Sequence, residues 1–209
     1  RNVEARWHYW SRGWETYMAQ KGYLLFILDN RGSCNRGRDF EQATFHHLGI
    51  EEMKDQMRGV EYLKSLPYVD TSRMGIHGWS FGGFMTTNLM TTHPEVFKVG
   101  VAGGPVIDWK WYEAMYGERY MDTPQENPEG YENSRVGKYL TNLKRPLLFI
   151  HGSVDDVVVP QHLMSITRES IKKNDFIELF IYPMHAHGVR GTDHINLTER
   201  IIDYVKKHN

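Results

Sequence analysis

The sequence has almost no cysteine: Cys34 is the only one in 209 residues. That excludes an internal disulfide framework and any multi-cysteine metal site, and says little about compartment. Charge of one sign is lacking too, because 25 basic residues face 26 acidic ones and the net charge is −1. Neither a nucleic-acid surface nor a polybasic membrane patch is indicated. No apolar run approaches the roughly 18 residues that a membrane-spanning helix needs. Internal repeats, low-complexity tracts and Gly/Ser- or Pro-rich linkers are all missing. The chain begins at Arg1 without an initiator methionine or a signal-peptide pattern, so a processed or excised piece is expected. What remains is 40% hydrophobic and 24% charged residues, the balance of a globular protein of one domain. A chain of this length buries about 70% of its extended surface and needs no covalent staples.

Short apolar runs alternate with amphipathic stretches. Tyr23 to Leu28 reads as a buried strand ending in the polar turn Asp29-Asn30-Arg31-Gly32. Arg73 to Gly78, Phe97 to Ala102, Pro146 to Ile150 and Phe176 to Tyr182 complete a set of five. Runs apolar on both faces suit a parallel sheet covered by helices on each side. Ile50, Met53, Met57, Val60 and Leu63 share one face of a helix that should stop near Pro67. Further helices are expected over Glu4 to Gln20, Gly83 to Thr92, His162 to Lys172 and Asp193 to Lys207. This order implies an α/β fold with right-handed crossovers. One segment breaks the rhythm. Asp108 to Asn142 is long and rich in aromatics, and such insertions usually serve as lids or binding loops.

Gly78-Trp79-Ser80-Phe81-Gly82 matches Gly-x-Ser-x-Gly and is followed by Gly83. Alone the pattern is weak, but it follows a predicted strand and opens a predicted helix, the setting of a nucleophile elbow. There the serine occupies a tight, strained turn, and side chains at Gly78 and Gly82 are expected to clash with neighbouring backbone. The Phe81 N–H, at the helix start, is a natural oxyanion donor. In the α/β-hydrolase arrangement an acid and then a histidine follow along the chain. His151-Gly152-Ser153-Val154-Asp155-Asp156 supplies two carboxylates after one strand, and Pro183-Met184-His185-Ala186-His187-Gly188 supplies two histidines after the last. The loops fall at the carboxyl ends of strands, where open α/β sheets place active sites. Spacing chooses neither between Asp155 and Asp156 nor between His185 and His187.

Blander readings exist for each piece. Ser80 could be a small residue at a helix start or an anion-binding turn, but neither accounts for the later acid and histidine loops. Eleven histidines invite a metal site at His185-x-His187 or Asp193-His194, yet no third ligand is compelling. His46-His47 reads as a polar loop pair. Trp109, Trp111, Tyr112, Tyr116, Tyr120 and Tyr131 either pack a lid onto the core or line a specificity pocket. The pocket is favoured, since aromatic faces hold a flat apolar ring such as proline's.

Asp29-Asn30-Arg31-Gly32-Ser33, Gly78 to Gly83, Glu118-Arg119-Tyr120-Met121, His151 to Asp156 and His187-Gly188 together resemble the catalytic domain of the prolyl oligopeptidase superfamily. The nearest branch is that of dipeptidyl peptidase IV and the bacterial prolyl tripeptidyl aminopeptidases, and the likeness runs from about Trp14 to the C-terminus. The resemblance implies an α/β-hydrolase fold, here truncated at its N-terminal strands, in the C-terminal domain of a longer chain with an N-terminal β-propeller. It implies Ser80 as nucleophile, Asp155 as acid and His187 as base. Phe81, Val106, Trp109, Tyr112, Tyr116 and Val158 match positions lining the pocket for the residue before the scissile bond. Val157 stands where dipeptidyl peptidase IV has an asparagine contacting the substrate, which leaves tripeptide release open.

The implied activity is that of a serine exopeptidase acting on peptides with proline, or less readily alanine, near the N-terminus. No cofactor, metal or nucleic acid is implied. A homodimer and a periplasmic, extracellular or membrane-anchored location accord with the branch. A second oxyanion donor, a tyrosine of a Tyr-Gly-Gly-Pro-like loop, would precede the first helix. The propeller's amine-binding glutamates would lie upstream as well, so the 209 residues alone are expected to hydrolyse peptides poorly. An esterase or acylaminoacyl-peptide hydrolase of the same fold, and a non-catalytic interaction domain, are the alternatives.

Overall fold

The computed structural model describes residues 13–173 and 177–209. Eight α-helices and four strands are formed among them. In chain order they are α1 (Gly13–Gln20), α2 (Arg38–Gln42), α3 (Glu51–Lys64), β1 (Gly75–Trp79), α4 (Phe81–Thr92), β2 (Val99–Gly103), α5 (Ala114–Met121), α6 (Pro128–Ser134), β3 (Leu147–Gly152), α7 (Gln161–Lys173), β4 (Glu178–Tyr182) and α8 (Asp193–His208). The sheet has the order β1-β2-β3-β4 and every neighbouring pair is parallel. Each return between parallel strands needs a crossover, and the helices provide it.

The central strands explain their own sequences. β2 and β3 are buried along their whole length, so Val99-Gly-Val-Ala and Leu147-Leu-Phe-Ile need no polar alternation. Two apolar cores flank the sheet. One contains Phe84, Leu89, Met90, Phe149 and Ile166 together with Trp109 and Leu140 from the long insertion. The other joins Val99, Val101 and Ile150 to Leu197, Ile201 and Val205 of α8. The expected helices on both faces are therefore present.

α3 ends at Lys64, three residues short of Pro67, with Val60 in the core and Met53 and Met57 packed beside it. α4 begins at Phe81, two residues earlier than the sequence pattern predicts. The first part of the expected Glu4–Gln20 helix lies outside the described residues, as does Phe176, the first residue of the last expected strand.

One expectation is corrected. Tyr23 to Leu28 is no strand: among the described residues it has no ladder partner. Strand identity requires a hydrogen-bonded neighbour as well as an apolar pattern. The run instead lies on α3, where Phe26 and Leu28 crowd Gly59, while Leu24 and Ile27 are exposed. The Asp108–Asn142 insertion, read from sequence as a lid or binding loop, has secondary structure of its own. It folds into 3-10 turns at Trp109–Trp111 and Val136–Asn142 around α5 and α6. Met121, Tyr131, Val136 and Leu140 sink into the core.

Candidate active site

β1 runs directly into α4 through Ser80, whose φ and ψ are 61° and −118°. Side chains rarely adopt this backbone conformation, and holding one there costs about 1–3 kcal/mol. The surroundings impose it. Ser80 N–H donates to Gly103 O at 2.8 Å, and Phe84 N–H returns to Ser80 O at 2.9 Å. A serine at a helix N-cap ordinarily bonds its hydroxyl to the first turn, but Ser80 makes no such cap bond. Its hydroxyl is left for other work.

The glycines around it divide differently from the expectation. A Cβ on Gly78 would fall on the Gly82 carbonyl, as foreseen. A Cβ on Gly82 would meet nothing within 4 Å. The second crowded position is Gly83, whose Cβ would sit 2.5 Å from Gly103 O and 3.0 Å from Pro105 Cα. The reason is direction. Gly83 faces the end of β2, whereas Gly82 faces open space.

Asp155, only 3% exposed, follows β3. Its Oδ1 accepts the N–H groups of Val157 (3.0 Å) and Val158 (2.9 Å), and its Oδ2 lies 2.8 Å from His187 Nδ1. Burial would raise its pKa, but the His187 bond and the two amides outweigh burial and hold it below the ordinary value. Asp156 is exposed.

His187 thus carries its proton on Nδ1 and leaves the Nε2 lone pair available. Its ring packs over Gly104, where an added Cβ would be 3.1 Å from Cε1. Gly104 adjoins the Gly103 carbonyl that binds Ser80. His185 is turned elsewhere: its Nε2 pairs with Asp193 Oδ2 at 2.8 Å. Of the two carboxylates and two histidines that spacing left open, the structure joins Asp155 with His187.

The acid and histidine loops are stitched together. Ser153 N–H donates to Tyr182 O, Val154 N–H to His185 O, and Met184 N–H to Ser153 Oγ at 2.8 Å. Trp79, next to Ser80, donates its indole N–H to His187 O at 2.7 Å. Sequence reasoning missed this contact. The variable position of Gly-x-Ser-x-Gly gives no sign that its side chain reaches the histidine loop.

His151 was missed as well. Fully buried at the end of β3, it donates from Nε2 to Val158 O at 2.7 Å and lies 3.4 Å from Asp155 Oδ2. Burial pushes its pKa down. His162 of α7 accepts the Ile107 N–H on Nδ1 at 3.0 Å, and burial drives its pKa to about 4. As neutral acceptors and donors, these histidines fix the two loops that leave β2 and β3.

The rings named from sequence converge on Trp109. Phe81 and Trp109 are 5.6 Å apart, Trp109 and Tyr112 5.4 Å, and Trp109 and Tyr116 5.8 Å in a stacked pair. Trp109, Val106 and Val158 are buried, while Phe81, Tyr112 and Tyr116 are half-buried. The result is a buried indole floor with accessible rings around it, beside Ser80. Trp111 stands apart, exposed and edge-on to His162. Tyr131 packs behind, donating its hydroxyl to Asp122 O. The aromatics of the insertion thus divide between a ring cluster on Trp109, next to Phe81, and packing elsewhere in the core. No group of three or more His, Cys, Asp or Glu side chains is placed to hold a metal among the described residues.

A parallel sheet with a serine at a strained strand-to-helix turn and an Asp–His pair beyond later strands defines an α/β hydrolase. The family follows from the chain as a whole. Residues 9–209 match the prolyl oligopeptidase family of peptidases, and the chain belongs to it. It is 58% identical to a candidate dipeptidyl aminopeptidase IV from Bacteroides ovatus, with a TM-score of 0.93 over 95% of this chain and 28% of that one. Dipeptidyl peptidase 4 of Porphyromonas gingivalis gives 36% identity and a TM-score of 0.89 over 94% of this chain and 28% of that one. Dipeptidyl peptidase 8 of Homo sapiens is 36% identical over 178 residues, 83% of this chain. The chain spans 20% of that relative's length.

Proposed function

We propose that the chain is the C-terminal catalytic part of a serine exopeptidase that releases N-terminal di- or tripeptides after proline or, less readily, alanine. The observation that carries this reading is the Asp155–His187 pair set beside a serine whose hydroxyl is free of its own helix. The dipeptidyl peptidase names of the relatives support the peptide substrate. Their much greater length supports an N-terminal partner domain, for which a propeller is the expected form.

In this reading Ser80 Oγ attacks the carbonyl of the residue held by the aromatic pocket. His187 Nε2 takes the hydroxyl proton, and Asp155 holds the Nδ1–H tautomer and stabilises the imidazolium. The oxyanion meets the Phe81 N–H, one of the first-turn amides that lack an intrahelical acceptor. The C–N bond then breaks as His187 returns the proton to the leaving amine. Water deacylates Ser80 by the same relay in reverse. Phe81, Val106, Trp109, Tyr112, Tyr116 and Val158 surround the proline ring.

The test is hydrolysis of Gly-Pro and Ala-Ala-Pro chromogenic amides by the intact protein and its Ser80→Ala variant. Turnover by the wild type and its loss in the variant are expected. Equal activity in both would sink the mechanism. Preference for simple acyl esters over prolyl amides would replace the peptidase reading with an esterase.

A further inference from the structure

Two segments distant in sequence meet at a side-chain pair that the proposed chemistry does not use. His46 Nε2 and Asp122 Oδ2 are 2.6 Å apart. Both residues have positive φ, 69° and 55°. Asp122, with ψ of −168°, occupies a backbone region that is essentially glycine's own. Ser80 is strained in a comparable way, and there the strain serves a function. The His46–Asp122 side chains are more than 40% exposed, and an exposed pair adds little stability. A glycine at 122 would suit the backbone better, so stability alone does not account for a carboxylate there.

The pair closes a continuous tie between the nucleophile helix and the pocket wall. Asn88 of α4 donates to Gly49 O at 3.2 Å. From Gly49 the chain runs back to His46, whose N–H donates to Tyr120 O at 2.8 Å. Asn127 Nδ2 donates to both His46 O and Met121 O at 2.9 Å. These bonds grip the C-terminal end of α5, the helix that carries Tyr116 and Tyr120, whose rings are 4.7 Å apart. Tyr116 in turn stacks on Trp109 at an interplanar angle of 16°.

We infer that His46 and Asp122 form a latch that positions the α5 wall of the aromatic pocket and so sets affinity for the residue before the scissile bond. Neither side chain touches the reacting atoms; both are positioning residues. The inference rests on the pocket assignment made above.

The variants are Asp122→Gly, His46→Ala, their double and Asp122→Asn, each in the intact protein. Four quantities are read: thermal midpoint, kcat and KM for a prolyl amide, and the rate of labelling by a fluorophosphonate. Asp122→Gly relaxes the backbone, so its midpoint should hold or rise. Its KM should rise about five-fold, the loss expected of one hydrogen-bonded pair, with kcat and labelling unchanged. His46→Ala should raise KM equally, the double no further, and Asp122→Asn, which keeps an acceptor, should recover most of the affinity. A purely structural pair would move midpoint and KM together. Wild-type KM in Asp122→Gly, or single effects that multiply in the double variant, would overturn the latch. A wild type that is labelled but does not cleave prolyl amides would instead remove the pocket assignment, and the latch with it.

Discussion

Replacing Glu52 with glutamine should make the protein more stable at pH 8 and nearly neutral at pH 5. Glu52 sits in the first turn of α3, 2% exposed, with Oε2 accepting the Gly49 N–H at 2.9 Å. The nearby cation is engaged elsewhere: Arg31 contacts Glu51 at 2.6 Å and Asp55 at 2.8 Å. No cation pairs with Glu52 among the described residues. Burial therefore dominates, with the like charges of Glu51 and Asp55 adding to it, and lifts the carboxyl from 4.5 to about 7.

A raised folded-state pKa means that the folded protein keeps a proton which the unfolded chain has already released. Stability therefore falls as pH climbs from the unfolded value towards 7, and levels off above it. Between pH 5 and 8 the loss attributable to this one group is about 2–3 kcal/mol. Glutamine keeps an acceptor for Gly49 and never ionises. Denaturant titrations of the two intact proteins at pH 5 and 8 should show the gap between them widening by that amount in favour of Glu52→Gln. Parallel pH dependence would refute both the burial argument and the assignment of Glu52 as an uncompensated carboxyl.

The two glycines of the turn predict opposite outcomes. Gly83→Ala drives a methyl into Gly103 O and should cost about 1–3 kcal/mol by overpacking. Gly82→Ala meets open space and should hold or gain up to about 1 kcal/mol from helix propensity; thermal unfolding distinguishes them. Asp155→Asn, which disfavours the Nδ1–H tautomer of His187, should lower kcat for a prolyl amide about 10⁴-fold. His185→Gln, which removes the pair with Asp193 and the acceptor of the Arg190 N–H but no contact to Asp155 or His187, should leave kcat intact. A loss confined to the His185 variant would reverse the choice of base.

The sheet was legible because β2 and β3 are buried on both faces, and such strands are written as unbroken apolar runs. Tyr23 to Leu28 is written the same way and forms no ladder among the described residues, since a one-dimensional pattern records apolar character and not neighbours. The elbow was legible as a motif, yet which glycines are indispensable depends on the direction each would-be Cβ takes. Two adjacent carboxylates and two histidines a residue apart could not be separated by spacing. What separates them is Asp193, which draws His185 away, and the paired amides of Val157 and Val158, which seat Asp155. His46-His47 looked like a loop pair because its partner, Asp122, lies 76 residues further along. The aromatic insertion concealed its helices because α6 is short, and the bond from the side chain of Asn127 to Gly130 N–H that starts it is a local polar signal among many.

The all-parallel sheet also has a temporal consequence. Ser80, Asp155 and His187 issue from the ends of three different strands and are separated by as many as 107 positions in the chain. Each pairing between those strands closes a long loop, and such non-local contacts form slowly. The elbow can be strained only after Gly103 is in place beneath it, and His187 can be seated only after β4 has registered on β3. During refolding, helix content should therefore return well before reactivity at Ser80. Recovery of that reactivity would mark the last strand locking home.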